Sequence, residues 1–137
     1  MNAREQLIYN RGLERMYGCI LLGENEQALS CMEELIYLTR GLSASAKQSL
    51  EVQMTFLSRA CRVCWQGPPL EVLLEKGTDT ICTVPGKISG QIFEAIAALE
   101  DAGKPPSLLR LRIDGGVLHY ELSDQGHVYD RGVLPNA

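Results

Sequence analysis

The sequence lacks an apolar stretch long enough to cross a membrane. Its longest uninterrupted apolar runs, such as Cys19–Leu22 and Ala95–Leu99, span about one turn of helix, whereas a membrane-spanning helix needs roughly 18 apolar residues. The first residues, Met1–Leu7, carry an arginine and a glutamate where a signal peptide would begin its apolar stretch. We therefore expect a soluble, cytoplasmic protein without a part in the membrane.

Positive charge is also scarce. Lys and Arg number 13 against 17 Asp and Glu, a formal net charge of −4, whereas a surface built for phosphate backbones or anionic lipid needs the opposite balance. Arg110, Arg112 and Arg131 could form a small basic patch with Tyr129, but Glu121 lies among them in the sequence. This composition does not favour nucleic-acid binding.

No disulfide framework is recognisable among the cysteines, which are Cys19, Cys31, Cys61, Cys64 and Cys82. In a reducing cytosol an odd number of thiols is expected to serve as small buried side chains. The pair Cys61 and Cys64 has the spacing of a redox dithiol, but it lies towards the end of a predicted helix, where the dipole does not favour a thiolate. Cys82 could join them in a metal site, the weaker alternative. We expect no metal and no cofactor.

The overall proportions are those of one packed domain. Apolar residues make up 45% and charged residues 22% of the 137 positions, which is typical of a globular domain. No segment recurs at a fixed period. Gly67-Pro68-Pro69 divides the domain 1–137 into a helical half, 1–66, and a mixed half, 70–134, which we expect to share one core.

Apolar spacing predicts helices over residues 3–22, about 25–40, and from Ser43 or Ser45 to about 66. The third has the most regular stripe, and Gly67-Pro68-Pro69 is expected to end it because proline cannot donate the next amide. In the second half, Thr80–Val84 predicts a strand and a fourth helix spans about 87–102. Periodicity does not assign the short apolar piece Leu70–Leu74.

Residues 108–133 alternate between apolar and polar and predict a three-stranded antiparallel meander. If Gly115-Gly116 forms the first turn, Arg110 faces Glu121. A turn at Asp114-Gly115 would shift the register by two residues and keep each side chain on its face.

A second turn at residues 124–126 is expected to bring Val128 opposite Leu122. One face of the meander is then apolar, and the helices are available to cover it. The predicted fold class is α+β, with an N-terminal three-helix segment, a further helix and a C-terminal three-stranded antiparallel β-meander around one core.

Polar residues of the meander are the candidates for a ligand site: Arg110, Arg112, His119, Glu121 and His127. Nucleophilic catalysis would need a Ser or Cys beside a histidine that a carboxylate orients, and the sequence has no such recognisable arrangement. We assign no catalytic residue. One hypothesis nevertheless is a small-ligand-binding or enzymatic domain with its pocket between the meander and the fourth helix.

The first helix carries apolar residues away from its main stripe: Leu7, Ile8, Leu21 and Leu22. Either both sides of this helix are buried within a monomer, or the surplus surface contacts a partner. We favour the second alternative, because homodimers commonly bury such surface. The predicted function is a non-enzymatic protein–protein interaction module, an adaptor, regulator or assembly chaperone, that self-associates through its helices.

Overall fold

A computed structural model describes residues 2–42, 45–75 and 86–134. In chain order the elements are α1 Ala3–Leu21, α2 Asn25–Thr39, α3 Ser45–Arg62, β1 Leu70–Glu75, α4 Gly86–Asp101, β2 Leu108–Asp114, β3 Val117–Asp124 and β4 His127–Leu134. The strands of these ranges form one antiparallel sheet in the order β1-β2-β3-β4. The predicted α+β class is confirmed.

The sheet has four strands in the described ranges, so the prediction of three is wrong. The unassigned piece at Leu70 is strand β1, which pairs Leu70 with Ile113 and Leu74 with Leu109. Its partner is β2, which follows α4 in the sequence. No pattern within the short apolar piece itself predicts pairing with a strand so far along the chain. The predicted strand Thr80–Val84 lies outside the described residues.

Helix α3 lies in the middle of the molecule, between the α1–α2 hairpin on one side and strands β1 and β2 on the other. Its buried residues therefore extend well beyond the single predicted stripe: Val52, Met54, Phe56, Leu57, Ser58, Ala60 and Cys61. Side chains of α4, with Ile92 fully buried, pack against the same core. The other face of the sheet is exposed along alternating residues of β1 and β2.

Helix α3 ends at Arg62, several residues before Gly67-Pro68-Pro69, so the expected stop signal is wrong. Instead Cys64 adopts a left-handed conformation with φ of 52°. The Trp65 amide then donates to the Ala60 carbonyl at 3.0 Å and the Cys64 amide donates to the Cys61 carbonyl at 3.3 Å. These are the two hydrogen bonds of a Schellman motif, which usually has glycine at the left-handed position.

The β2–β3 hairpin follows the first of the two predicted registers. Both turn residues, Gly115 and Gly116, have positive φ of 58° and 78°, as a type I′ turn requires. Arg110 consequently pairs with Glu121 across the strands, which places opposite charges side by side on the exposed face.

The β3–β4 pairing differs from the prediction. Val128 pairs with Ser123, and Leu122 pairs with Asp130, because the register shifts between Leu122 and Ser123. Tyr129 is the extra residue of this β-bulge. The expectation that Val128 lies opposite Leu122 is therefore wrong.

The cysteines divide into two environments. Cys19, Cys31 and Cys61 are buried, as expected for core thiols, whereas Cys64 is exposed because it lies beyond the end of α3. Cys82 lies outside the described residues. Among the helices of the described ranges, none is long and apolar enough to cross a membrane.

Candidate functional site

Two surfaces combine a concave shape with a concentration of chemically distinctive side chains. The first, which we call the hairpin groove, lies between α1 and α2 and is lined by Ile8, Gly12, Leu35, Leu38 and Leu42 with Glu5, Arg15, Cys31, Glu34 and Gly41. The second, the polar cleft, lies on the exposed face of the sheet.

The hairpin groove exists because α1 and α2 pack closely where Gly12 meets Leu35. A Cβ atom at Gly12 would collide with Leu35 Cδ2, so the absence of a side chain lets the two helices approach. Leu35 is buried, whereas Ile8 and Leu38 remain about half exposed. The close approach therefore leaves a shallow apolar depression along the outer side of the hairpin.

Ile8 and Leu38 line two adjoining cavities of this groove, each with a volume of about 240 Å³. One cavity extends towards Arg15 and Glu34, and the other towards Leu42. Apolar walls with charged residues at the margin are typical of a protein contact surface.

The residues predicted as an interaction surface are exposed, but the structure does not bring all of them together. Leu7, Ile8, Leu21 and Leu22 are between 45% and 75% exposed, which excludes the alternative that both sides of α1 are buried within a monomer. Only Ile8 lines the groove. Leu21 and Leu22 follow 14 residues later, about 21 Å along the helix axis.

Sequence reasoning missed the contribution of α2 to this surface. Tyr37 and Leu38 are exposed, and Arg40 lies over the Tyr37 ring at 5.7 Å. They carry the same signal that identified Leu7 and Ile8, namely apolar residues beside the buried stripe of an amphipathic helix. The same sequence signal therefore indicates exposed apolar surface on α2 as well as on α1.

The thiols of Cys31 and Cys61 are not activated. Burial, reinforced by Cys19, raises the pKa of the Cys31 thiol at the groove. Burial, reinforced by Cys64, raises the pKa of Cys61 to about 11. A thiol that stays protonated at neutral pH is a poor nucleophile, so these side chains act as apolar packing groups.

The polar cleft has a volume of about 440 Å³ and is lined by residues of all four strands: Glu71, Arg110, Arg112, Asp114, His119, Tyr120, Glu121, Arg131, Gly132 and Val133. Small-ligand sites fall in this range of volumes, although most are more apolar. The pairing of the strands determines which side chains are neighbours. One row runs across the sheet from β1 to β4 and consists of Glu71, Arg112, His119 and Val133.

Ion pairs connect most of the charged groups in the cleft. Arg110 lies between two carboxylates, with its Nε 3.6 Å from Glu71 Oε1 and a terminal nitrogen 3.7 Å from Glu121 Oε1. Arg112 donates to Asp114 at 3.2 Å. These pairs are partly exposed, so each adds little to stability, but they hold the two guanidinium groups in place.

Four of the five predicted polar residues line this cleft together: Arg110, Arg112, His119 and Glu121. His127 does not line it, and it is exposed at the start of β4. The cleft is on the sheet face that α4 does not cover, so its position differs from the predicted pocket between the meander and that helix. Sequence reasoning did not include Glu71, because β1 was not recognised as a strand.

Tyr120 borders the cleft, but its ring packs against the core on the other side of the sheet, where it lies over Gly132 of β4. Its hydroxyl donates to Asp130 Oδ2 at 3.0 Å. Burial, followed by this hydrogen bond and the Asp130 charge, raises the pKa of Tyr120. The phenol remains protonated and donates its hydrogen bond to the Asp130 carboxylate, which lies on the helix-facing side of the sheet.

A metal site has no support in the part of the chain that the structure describes, where no cluster of His, Cys, Asp and Glu is placed to hold an ion. The alternative that the sequence leaves open is a metal site formed by Cys61, Cys64 and Cys82, and Cys82 lies outside the described residues. Comparisons of the chain with models of protein families, with characterised proteins and with solved structures find no match.

Proposed function

We propose that this chain is a non-enzymatic protein–protein interaction module that associates with a second copy of itself through the hairpin groove. The observation that carries the proposal is the groove itself, where half-exposed Ile8 and Leu38 line two adjoining apolar cavities. Apolar surface that is concave and continuous across two helices gains the most from being covered by a partner. An adaptor, a regulator or an assembly chaperone would use such a module.

The charges at the margin of the groove favour a second copy as the partner. Arg15 and Glu34 line the same cavity and carry opposite charges. In a two-fold arrangement the same patch of each copy meets the other, so Arg15 of one copy can lie against Glu34 of the other. A margin that carries both signs supports pairing with a second copy more than a margin of one sign would, because like charges would repel across the two-fold axis.

Sedimentation velocity over a wide concentration series tests the proposal. We expect the native chain to show a concentration-dependent monomer–dimer equilibrium. Leu38→Glu places an unpaired carboxylate in the interface, so the dimer dissociation constant should rise by at least about tenfold. Ile8→Glu should do the same from the other helix.

Leu73→Glu is the matched control, because Leu73 is 48% exposed and Leu38 is 41% exposed, and Leu73 lies on β1, away from the hairpin. It should leave the equilibrium unchanged. A native chain that stays monomeric at every concentration would refute self-association. If Leu73→Glu weakened the dimer as much as Leu38→Glu, the contact between copies would not be at the hairpin groove.

A second candidate function, a small-ligand-binding domain, is favoured by the polar cleft. Its charged side chains come from rigid strands, and they converge on a volume of about 440 Å³. Chemical-shift mapping with a small-molecule library tests it: binding should perturb the amides around Arg112 and His119. Binding confined to other surfaces would argue against it.

A further inference from the structure

We propose that the polar cleft binds an oxyanion, a phosphate or carboxylate group of a small ligand, with Arg131 as its principal donor and His119 and Arg112 beside it. This inference rests on the second candidate function and is independent of self-association. The cleft lies on the sheet face that the helices do not cover, so its occupancy and the oligomeric state are separate measurements.

Among the described residues, ion pairs engage two of the three arginines that line the cleft. Arg110 has Glu71 and Glu121 as neighbours, and Arg112 has Asp114. Arg131 makes no ion pair with any residue of the described ranges, although it pairs with Glu121 in the strand register. Glu121 is instead directed to Arg110, which leaves the Arg131 guanidinium with its donors available.

Register then places further donors next to Arg131. His119 is on the adjacent strand, one diagonal step away, since it pairs with Val133 while Arg131 pairs with Glu121. Arg112 pairs with His119 from the next strand. Diagonal neighbours have Cα atoms roughly 7–8 Å apart and long side chains bridge that distance, so Arg131 and His119 can reach one bound group, with Arg112 next to it on the far side of His119.

Charge complementarity selects the ligand class. Each carboxylate that lines the cleft, in Glu71, Asp114 and Glu121, already has a guanidinium within 4.0 Å. The donor that remains is a planar guanidinium, whose geometry matches two oxygens of a phosphate or carboxylate. The His119 imidazole beside it adds a third hydrogen-bonding group.

Two-dimensional amide NMR of the full chain, titrated with inorganic phosphate or with succinate at constant ionic strength, tests the proposal. Constant ionic strength removes the general effect of screening. We expect saturable shifts at Arg112, His119 and Arg131 with at least one of the two oxyanions. The two arms show whether phosphate or carboxylate is preferred.

Arg131→Gln should weaken that binding by about tenfold, the effect of one charge-assisted bidentate contact. Arg62→Gln is the matched control, because Arg62 is an exposed arginine at the end of α3, outside the cleft. Arg131→Lys retains the charge without the planar fork and should bind with intermediate affinity. It also keeps the test valid if the glutamine variant does not fold.

Three results would overturn the proposal: no saturable shift with either oxyanion, affinity that Arg131→Gln leaves unchanged, or equal weakening by Arg62→Gln. Uncharged molecules that bind the cleft in place of both oxyanions would preserve the ligand-binding candidate and reject the oxyanion as its ligand. Different results therefore refute the ligand-binding function of the cleft and the oxyanion as its ligand.

Discussion

Two glycines of α1 have opposite surroundings. A Cβ atom at Gly12 would collide with Leu35 Cδ2 and lie 3.1 Å from Leu35 Cγ, whereas a Cβ at Gly18 would meet nothing within 4 Å. Leu35 is buried, so its side chain would have to leave its packed position and shift into the hairpin groove to make room for that Cβ atom. The first glycine therefore sets the separation of two helices, and the second only weakens the helix that contains it.

Alanine at these two positions should change the free energy of unfolding in opposite directions. Gly18→Ala should raise it by up to about 1 kcal/mol through helix propensity. Gly12→Ala gains the same propensity, but the overpacking against Leu35 costs about 1–3 kcal/mol, so the net effect should be destabilising. Urea unfolding monitored by circular dichroism measures both, and a similar gain in the two variants would contradict the close contact.

At the residue scale, the sequence predicts which meander residues share a face wherever strand alternation alone decides exposure. Arg110, Arg112, His119 and Glu121 share a face because they alternate with apolar residues, and the sequence displays that alternation. His127 lies apart from them because its position relative to the others depends on the bulge at Tyr129. Nothing in the residue types around the second turn indicates that extra residue.

At the scale of elements, three helices end in the same way. The Glu24 amide donates to the Cys19 carbonyl, the Trp65 amide to Ala60 and the Lys104 amide to Leu99, each spanning five residues. Ahead of these donors the left-handed residues are Gly23, Cys64 and Gly103. Two helix ends were predictable from their glycines, and the third was not because cysteine replaces glycine there.

Cys64→Gly should raise the free energy of unfolding by roughly 1 kcal/mol, since a left-handed conformation costs a residue with a Cβ about that much and costs glycine little. Cys64→Ala is the control: it removes the thiol and keeps the Cβ, so it should not show this gain. Chemical denaturation of the three proteins separates the two effects. If alanine stabilises as much as glycine, the thiol and not the backbone is the cause.

For the whole molecule, the organising feature is the central position of α3. Trp65 lies just beyond its end, is buried, and packs edge-on against Phe56 with ring centroids 5.2 Å apart. Its indole N–H donates to the Pro68 carbonyl at 3.0 Å. The sole tryptophan of the chain thus reports on the junction between the helical half and the sheet.

We expect the helical half and the mixed half to unfold in one transition, because α3 packs against both and cannot lose one partner without exposing core residues. Tryptophan fluorescence and far-UV circular dichroism should then give the same denaturation midpoint in samples dilute enough to be monomeric. A fluorescence change at clearly lower denaturant would indicate two separately folding units and would refute the predicted single domain.

Among the strands that the structure describes, β4 is at the edge of the sheet, and its bulge affects which chains can join that edge. A flat strand at an edge presents its free amides and carbonyls to any other extended chain and so invites stacking into fibres. The bulge at Tyr129 bends this edge, and Asp130 adds a carboxylate on the core side that Tyr120 holds by a hydrogen bond. An irregular edge with an inward-facing charge resists further strand addition, which protects the molecule from amyloid-like growth at β4.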